Sequence, residues 1–266
     1  MKLILEWIVY FIIYCFLGWC FETTYVSLKE KRYINRGFMV GPYLPIYGFG
    51  AISVILFTKP FEDNVLGVYI GGALFATFLE YVTGVLMEKI FKVRYWDYST
   101  NKFQYKGRIC LSSTLAWGAL SVAAVFGLQR FVIWGFSLIP EVVHTVLAFL
   151  LIIIMSADFA WSFRTAIELK DFLDKFSRMK EEVKKIQKRI EDLETAILDE
   201  TVQKKERFVL EIQEMRLKQK IYTERIKDKF EIGKQNISML RRNPDASSST
   251  YKTLLEEIKD KIKNQK

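Results

Sequence analysis

Apolar runs long enough to cross a bilayer fill the chain up to about Ser162; beyond it an apolar residue recurs every three or four positions among Lys, Arg, Glu and Asp. A hydrocarbon core about 30 Å thick takes about 20 apolar residues as a helix. Five stretches approach that length: 3–26, 44–58, 65–90, 109–128 and 139–161. The second is short and follows glycines and a proline, so a four-span body with this segment re-entrant is the alternative. The fold class is all-α, a polytopic transmembrane helical bundle of about five spans, spanning residues 1–163.

The pattern changes in the tail. Phe172, Phe176, Met179, Val183, Ile186, Ile190, Leu193 and Ile197 alternate at intervals of four and three. That is a heptad seam, with Phe176, Val183, Ile190 and Ile197 at a and the others at d. Phe208, Ile212 and Met215 resume after an insertion of four, a stutter that locally unwinds a supercoil. With no Gly or Pro over 164–232, one continuous helix is the first expectation and a hairpin turning near 199–203 the alternative. β-Branched residues at a favour a parallel pair, so a homo-oligomer joined through a coiled coil over 164–242 is expected. Gly233, then Asn243-Pro244-Asp245 and three serines, read as the end of the helix and a linker. Tyr251, Leu254, Leu255, Ile258 and Ile262 mark a short amphipathic helix within 243–266, docking on the coil or touching an anionic leaflet.

Charge gives the body a direction. The chain carries +9 at neutral pH, split between 13 basic and 10 acidic residues in 1–163 and 26 and 20 in 164–266. The cations lie beside apolar segments or alternate with acids on a helix, so membrane orientation explains them and no nucleic-acid partner is inferred. Loop 27–43 holds Lys29, Lys31, Arg32 and Arg36, and loop 91–108 holds Lys92, Arg94, Lys102, Lys106 and Arg108. Loops 59–64 and 129–138 are poor in basic residues. The positive-inside rule places the N-terminus outside and the tail in the cytoplasm, in the plasma membrane. Lys2 followed by a long apolar run, with no small-residue cleavage signal, argues for a retained first span. Cys15, Cys20 and Cys110 form no CxxC pair and read as reduced thiols.

Ionisable side chains within spans are expensive, by roughly 2.5–3.5 kcal/mol at the centre on insertion scales. Glu22, Glu80, Glu88 and Asp158 gather toward the basic loops, with Glu80 deepest. One reading is a cytosol-facing polar cavity with Glu80 as its floor and Arg108 or Arg36 as counter-charge, Glu22 completing the set. The other is a clasp in which acids pair with loop arginines and hold the bundle shut. Asn35 and Arg36 open the run 35–50, whose two prolines and four glycines disrupt a regular helix. Such backbone at membrane depth lines a wet cavity or packs inside protein. Asp97 lies within Tyr95-Trp96-Asp97-Tyr98, an aromatic belt plus ion pair or a headgroup site. His144 reads as a packing residue. There is no metal site, no phosphate-binding loop and no catalytic signature, so neither a cofactor nor an enzymatic activity is expected.

The stretches Gly18-Trp19-Cys20-Phe21-Glu22, 35–50, Tyr95-Trp96-Asp97-Tyr98, Gly107-Arg108-Ile109-Cys110-Leu111 and Trp117-Gly118 resemble the ABC-transporter type IV (CmpB-like) membrane proteins, found mainly in Gram-positive bacteria. The resemblance covers about residues 1–160 and implies a bacterial permease in the cell membrane, with a separate ATPase subunit as partner beside the lipid bilayer itself. The rival is a non-transporting scaffold or sensor with the coil as output. An intramembrane enzyme acting on lipid headgroups ranks last, because no nucleophile stands out.

Overall fold

The computed structural model describes residues 2–196, 202–232 and 237–264. It divides into a unit of Met1–Thr165 with Met239–Lys252 and a unit of Ala166–Ser238 with Thr253–Lys266. Both are helical, and among the described residues the strands are the two-residue pair β1 (Gln104–Tyr105) and β2 (Ile109–Cys110).

In the first unit α1 (Lys2–Lys29), α2 (Pro45–Thr58), α3 (Val65–Phe91), α4 (Leu111–Ala123), α5 (Gln129–Ser137) and the start of α6 (Glu141–Ala196) form the bundle. Asn64 starts α3 by accepting from the amides of Leu66 and Gly67 at 3.0 and 3.1 Å. Lys92 ends it in the left-handed conformation. Cys110 and Ser113 form a capping box at the start of α4, which sets that helix two residues later than the apolar run suggests. A π turn over Ala124–Leu128 joins α4 to α5, so the third membrane-length helix is Leu111–Ser137. The segment 129–138, expected to be a loop, is therefore almost entirely helical. Its polar start is accommodated because Gln129 Oε1 accepts from Tyr14 Oη at 2.7 Å.

Among the described residues four helices are long and apolar enough to cross a membrane. The fifth expected span is built differently. The 14 residues of α2 rise about 21 Å, short of the hydrocarbon thickness. The chain reaches the start of α2 by running back along α1 without helix. Ile34 N donates to Ser27 Oγ at 2.9 Å and Arg36 N to Thr23 Oγ1 at 3.2 Å. Trp19 Nε1 donates to Asn35 Oδ1 at 2.6 Å, and Leu44 N reaches Cys15 O at 2.9 Å. Cys15 sits about 21 Å below Lys29 at 1.5 Å per residue. The extended stretch thus runs beside the C-terminal half of α1, and α2, opened by Pro45 where the missing amide is harmless, packs against the N-terminal half. Gly48 allows the approach, since a Cβ there would meet Cys15 and Phe11.

In the second unit α7 (Val202–Ile232) begins six residues after α6 ends and runs antiparallel to it. Ile190, Leu193 and Ile212 are buried together, with Ile186, Phe208 and Met215 against them. Arg189–Glu211 at 3.3 Å and Arg216–Glu194 at 2.6 Å flank that core. The expectation of one continuous helix is corrected: the chain folds back, and the reversal, with Ile197, lies outside the described residues. Of the expected seam, Ile186, Ile190 and Leu193 pack within the chain against Phe208, Ile212 and Met215 of α7. α9 (Lys252–Asn264) buries Leu254, Leu255 and Ile258 in this unit and is tied to α6 by the Lys180–Glu257 ion pair, as docking on the coil requires.

Candidate functional site

Three carboxylates of the bundle have distinct surroundings. Glu80, on α3, is 4% exposed. It accepts from Tyr98 Oη at 3.0 Å, Trp117 Nε1 at 3.1 Å and Ser113 Oγ at 3.2 Å. All three donors are neutral. Glu22, on α1, accepts from Tyr47 Oη at 2.7 Å and faces Arg36 Nε at 3.7 Å. Glu88, at the end of α3, lies between Arg94 Nε at 3.1 Å and Arg108 Nη2 at 2.5 Å. The expected counter-charges of Glu80 are therefore engaged elsewhere: Arg36 by Glu22 and Arg108 by Glu88. The reason is depth, since both arginines sit in the loop layer while Glu80 lies about three turns below the end of α3.

Tyr47 links the first two carboxylates. Its hydroxyl is on Glu22 and its ring lies 5.4 Å from that of Trp117, which donates to Glu80. Gly18 makes this possible, because a side chain there would occupy the Tyr47 ring. Gly18 and Glu22 are one turn apart on the same face of α1, so the small residue and the acid jointly form the berth for Tyr47.

The remaining predicted residues shape the loops. Asn35 accepts from Trp19 and donates to Val40 O at 2.7 Å. Asp158, on α6, accepts from the amides of Val40 and Gly41 at 3.0 and 2.6 Å and from Ser162 Oγ at 3.0 Å. It thereby fastens the Gly/Pro-rich run. Asp97 accepts from Ser99 N at 2.8 Å and, with Arg94, crowds Gly107, whose φ of +68° suits glycine. His144 stacks on Phe136 with ring centroids 3.4 Å apart, as a packing residue does.

The segment expected to be a linker folds onto these loops. Asn243, 2% exposed, accepts from Arg36 Nη1 at 3.1 Å and donates to Gly37 O at 3.0 Å. Tyr95 Oη contacts Met239 Sδ at 3.0 Å. Arg94 and Ser247 exchange backbone hydrogen bonds of 2.8 and 2.9 Å. Ser248 Oγ donates to Lys92 O at 2.5 Å, Ser249 Oγ to Glu88 Oε1 at 3.0 Å, and Lys29 pairs with Asp245 at 3.2 Å. Asn-Pro-Asp-Ala-Ser-Ser-Ser has linker composition, so no signal in the sequence marks it as buried. Tyr98 and Trp117 were visible in the sequence as aromatic motifs, but their shared acceptor was not.

Tyr95 and Tyr98 lie in the loop layer, and burial pushes both phenols above their ordinary range, Glu80 adding to the effect on Tyr98. Both thus stay neutral donors. An apolar groove of about 610 Å³ lined by Phe57, Phe61, Ile70, Leu74 and Phe75 contains none of these polar groups. No group of three or more His, Cys, Asp or Glu that could hold a metal occurs among the described residues.

No curated protein and no solved structure matches the chain. A family model does, over residues 9–163, which takes in most of the bundle and Glu22, Glu80, Glu88, Asp97 and Asp158. The chain is a membrane protein belonging to the family described as Putative ABC-transporter type IV.

Proposed function

We propose that the chain is the permease-like subunit of a transport assembly in the plasma membrane, with its N-terminus outside, its α6–α7 hairpin in the cytoplasm and a separate ATPase as partner. The observation that carries this reading is Glu80. An acid in a span, without a cation and held by three neutral donors, can change charge without breaking an ion pair, which a cargo or coupling site requires. Family membership supports transport. The orientation in this reading counts four helical crossings plus one broken crossing through 35–58, and it is supported by the basic residues of loops 27–43 and 91–108, which the positive-inside rule assigns to the side of the tail. The chain itself carries out no covalent chemistry in this proposal.

The test is affinity purification of the full chain from its native membranes, with ATP hydrolysis measured on the eluate. An ATP-hydrolysing polypeptide should co-elute, and shortening the hairpin by replacing 183–222 with a Gly/Ser loop should release it. A second reading, scaffold or sensor, rests on the tail segment that closes over Arg36. It gains if the hairpin retains a partner that neither binds nor hydrolyses ATP.

A further inference from the structure

The segment 239–251 lies over the charged end of the Glu22–Glu80 network. Asn243 is bonded to Arg36, whose Nε faces Glu22, and behind Glu22 follow Tyr47, Trp117 and Glu80. Arg36 is 8% exposed with this segment in place. The segment buries Met239, Leu240, Ala246 and Tyr251, and its other contacts are polar and replaceable by water: a two-bond backbone bridge, serine hydroxyls on Lys92 and Glu88, and the Lys29–Asp245 pair. Docking also has an internal cost. Arg242 buries Nε and Nη1 without a hydrogen-bond partner, and burial lowers its affinity for a proton. A guanidinium with open donors regains them on contact with water, so it favours withdrawal.

We propose that residues 239–251 are a releasable plug, an autoinhibitory contact that closes the approach to Arg36 and Glu22 when docked and opens it to water when withdrawn. The unpartnered nitrogens of Arg242 weaken the docked state against the attraction of Asp158, while Asn243 is the bolt. The plug stands between α7 and α9 in the chain, so a partner that moves the hairpin can draw it. This device works whatever the bundle carries, and its test reads access rather than flux.

Thr23, 6% exposed, accepts from the amide of Arg36, the residue on which the plug closes. In full-length protein whose native cysteines are replaced, Thr23→Cys is exposed to a membrane-impermeant maleimide, with Lys31→Cys on the exposed loop as control. Adding Asn243→Ala should speed labelling at position 23 by about tenfold or more, because labelling follows the open fraction. It should leave position 31 unchanged. Should Asn243→Ala fail to accumulate, the pair Asp245→Ala and Ser249→Ala, which removes contacts from the plug side alone, serves instead. Slow labelling at position 23 in the plug variants, with position 31 still fast, makes the segment a fixed part of the fold and overturns the proposal.

Discussion

Glu80 offers a direct test of whether its carboxylate is held by hydrogen-bond geometry or by charge. Replacing it with Ala removes the acceptor of three donors, but the three do not suffer equally. Ser113 Oγ already lies 2.9 Å from Cys110 O and keeps that acceptor. Tyr98 Oη and Trp117 Nε1 have Glu80 alone among their hydrogen bonds described here. Two stranded buried donors at about 1–3 kcal/mol each put the loss for Glu80→Ala at about 2–6 kcal/mol. Glu80→Gln differs in kind. The amide oxygen can take Trp117 and Ser113, and its NH₂ can donate to the Tyr98 hydroxyl, which also accepts. The buried charge disappears at the same time, so Glu80→Gln should stay within about 1 kcal/mol of the parent. Unfolding by SDS titration in mixed micelles, followed by helical circular dichroism, resolves the two. If Glu80→Gln loses as much as Glu80→Ala, charge rather than acceptor geometry holds the site and the reasoning from neutral donors fails. If Glu80→Gln is stable, flux measured in the intact assembly then reports on function free of folding.

Glu88→Ala leaves the Arg94 and Arg108 guanidiniums facing each other and should cost about 3–5 kcal/mol. Arg108→Ala in the same background should recover part of that loss in the same titration. Ile190→Cys with Ile212→Cys should oxidise to a crosslink within one chain, seen as monomer mobility on a non-reducing gel; a dimer band would show the seam joining two copies. Gly18→Ala places a methyl group in the Tyr47 ring and should cost about 1–3 kcal/mol. Tyr47→Phe, which strands one acceptor on a half-buried Glu22, should cost about 1 kcal/mol.

Most of the bundle was legible because lipid demands long apolar helices, and residues 3–26, 65–90 and 139–161 meet that demand on their own. The shortness of 44–58, with its glycines and prolines, marked this segment as either a short span or a re-entrant one. Its depth could not be read, because that depends on Leu44 finding Cys15. Residue types marked Glu22, Glu80, Glu88, Arg36 and Arg108 as costly in a span, but pairing depends on height along neighbouring helices, which composition does not carry. The hairpin was ambiguous for a related reason: a heptad seam records that a helix has a partner and not whether the partner is another chain or its own continuation. Asn243 gave no signal, since its burial arises from loops more than 130 residues away in sequence.

The non-helical stretch beside α1 also constrains how the protein is made. Residues 34–44 carry backbone groups that hydrocarbon cannot satisfy: the amides of Ile34, Arg36 and Leu44 are taken by Ser27, Thr23 and Cys15 of α1, and those of Val40 and Gly41 by Asp158. Neither this stretch nor the 14-residue α2 can leave the translocon for lipid as an independent segment. In the proposed topology α1, the extended stretch and α2 partition together, α1 serving as template for the chain that follows it, and Asp158 closes the arrangement only after α6 has been synthesised.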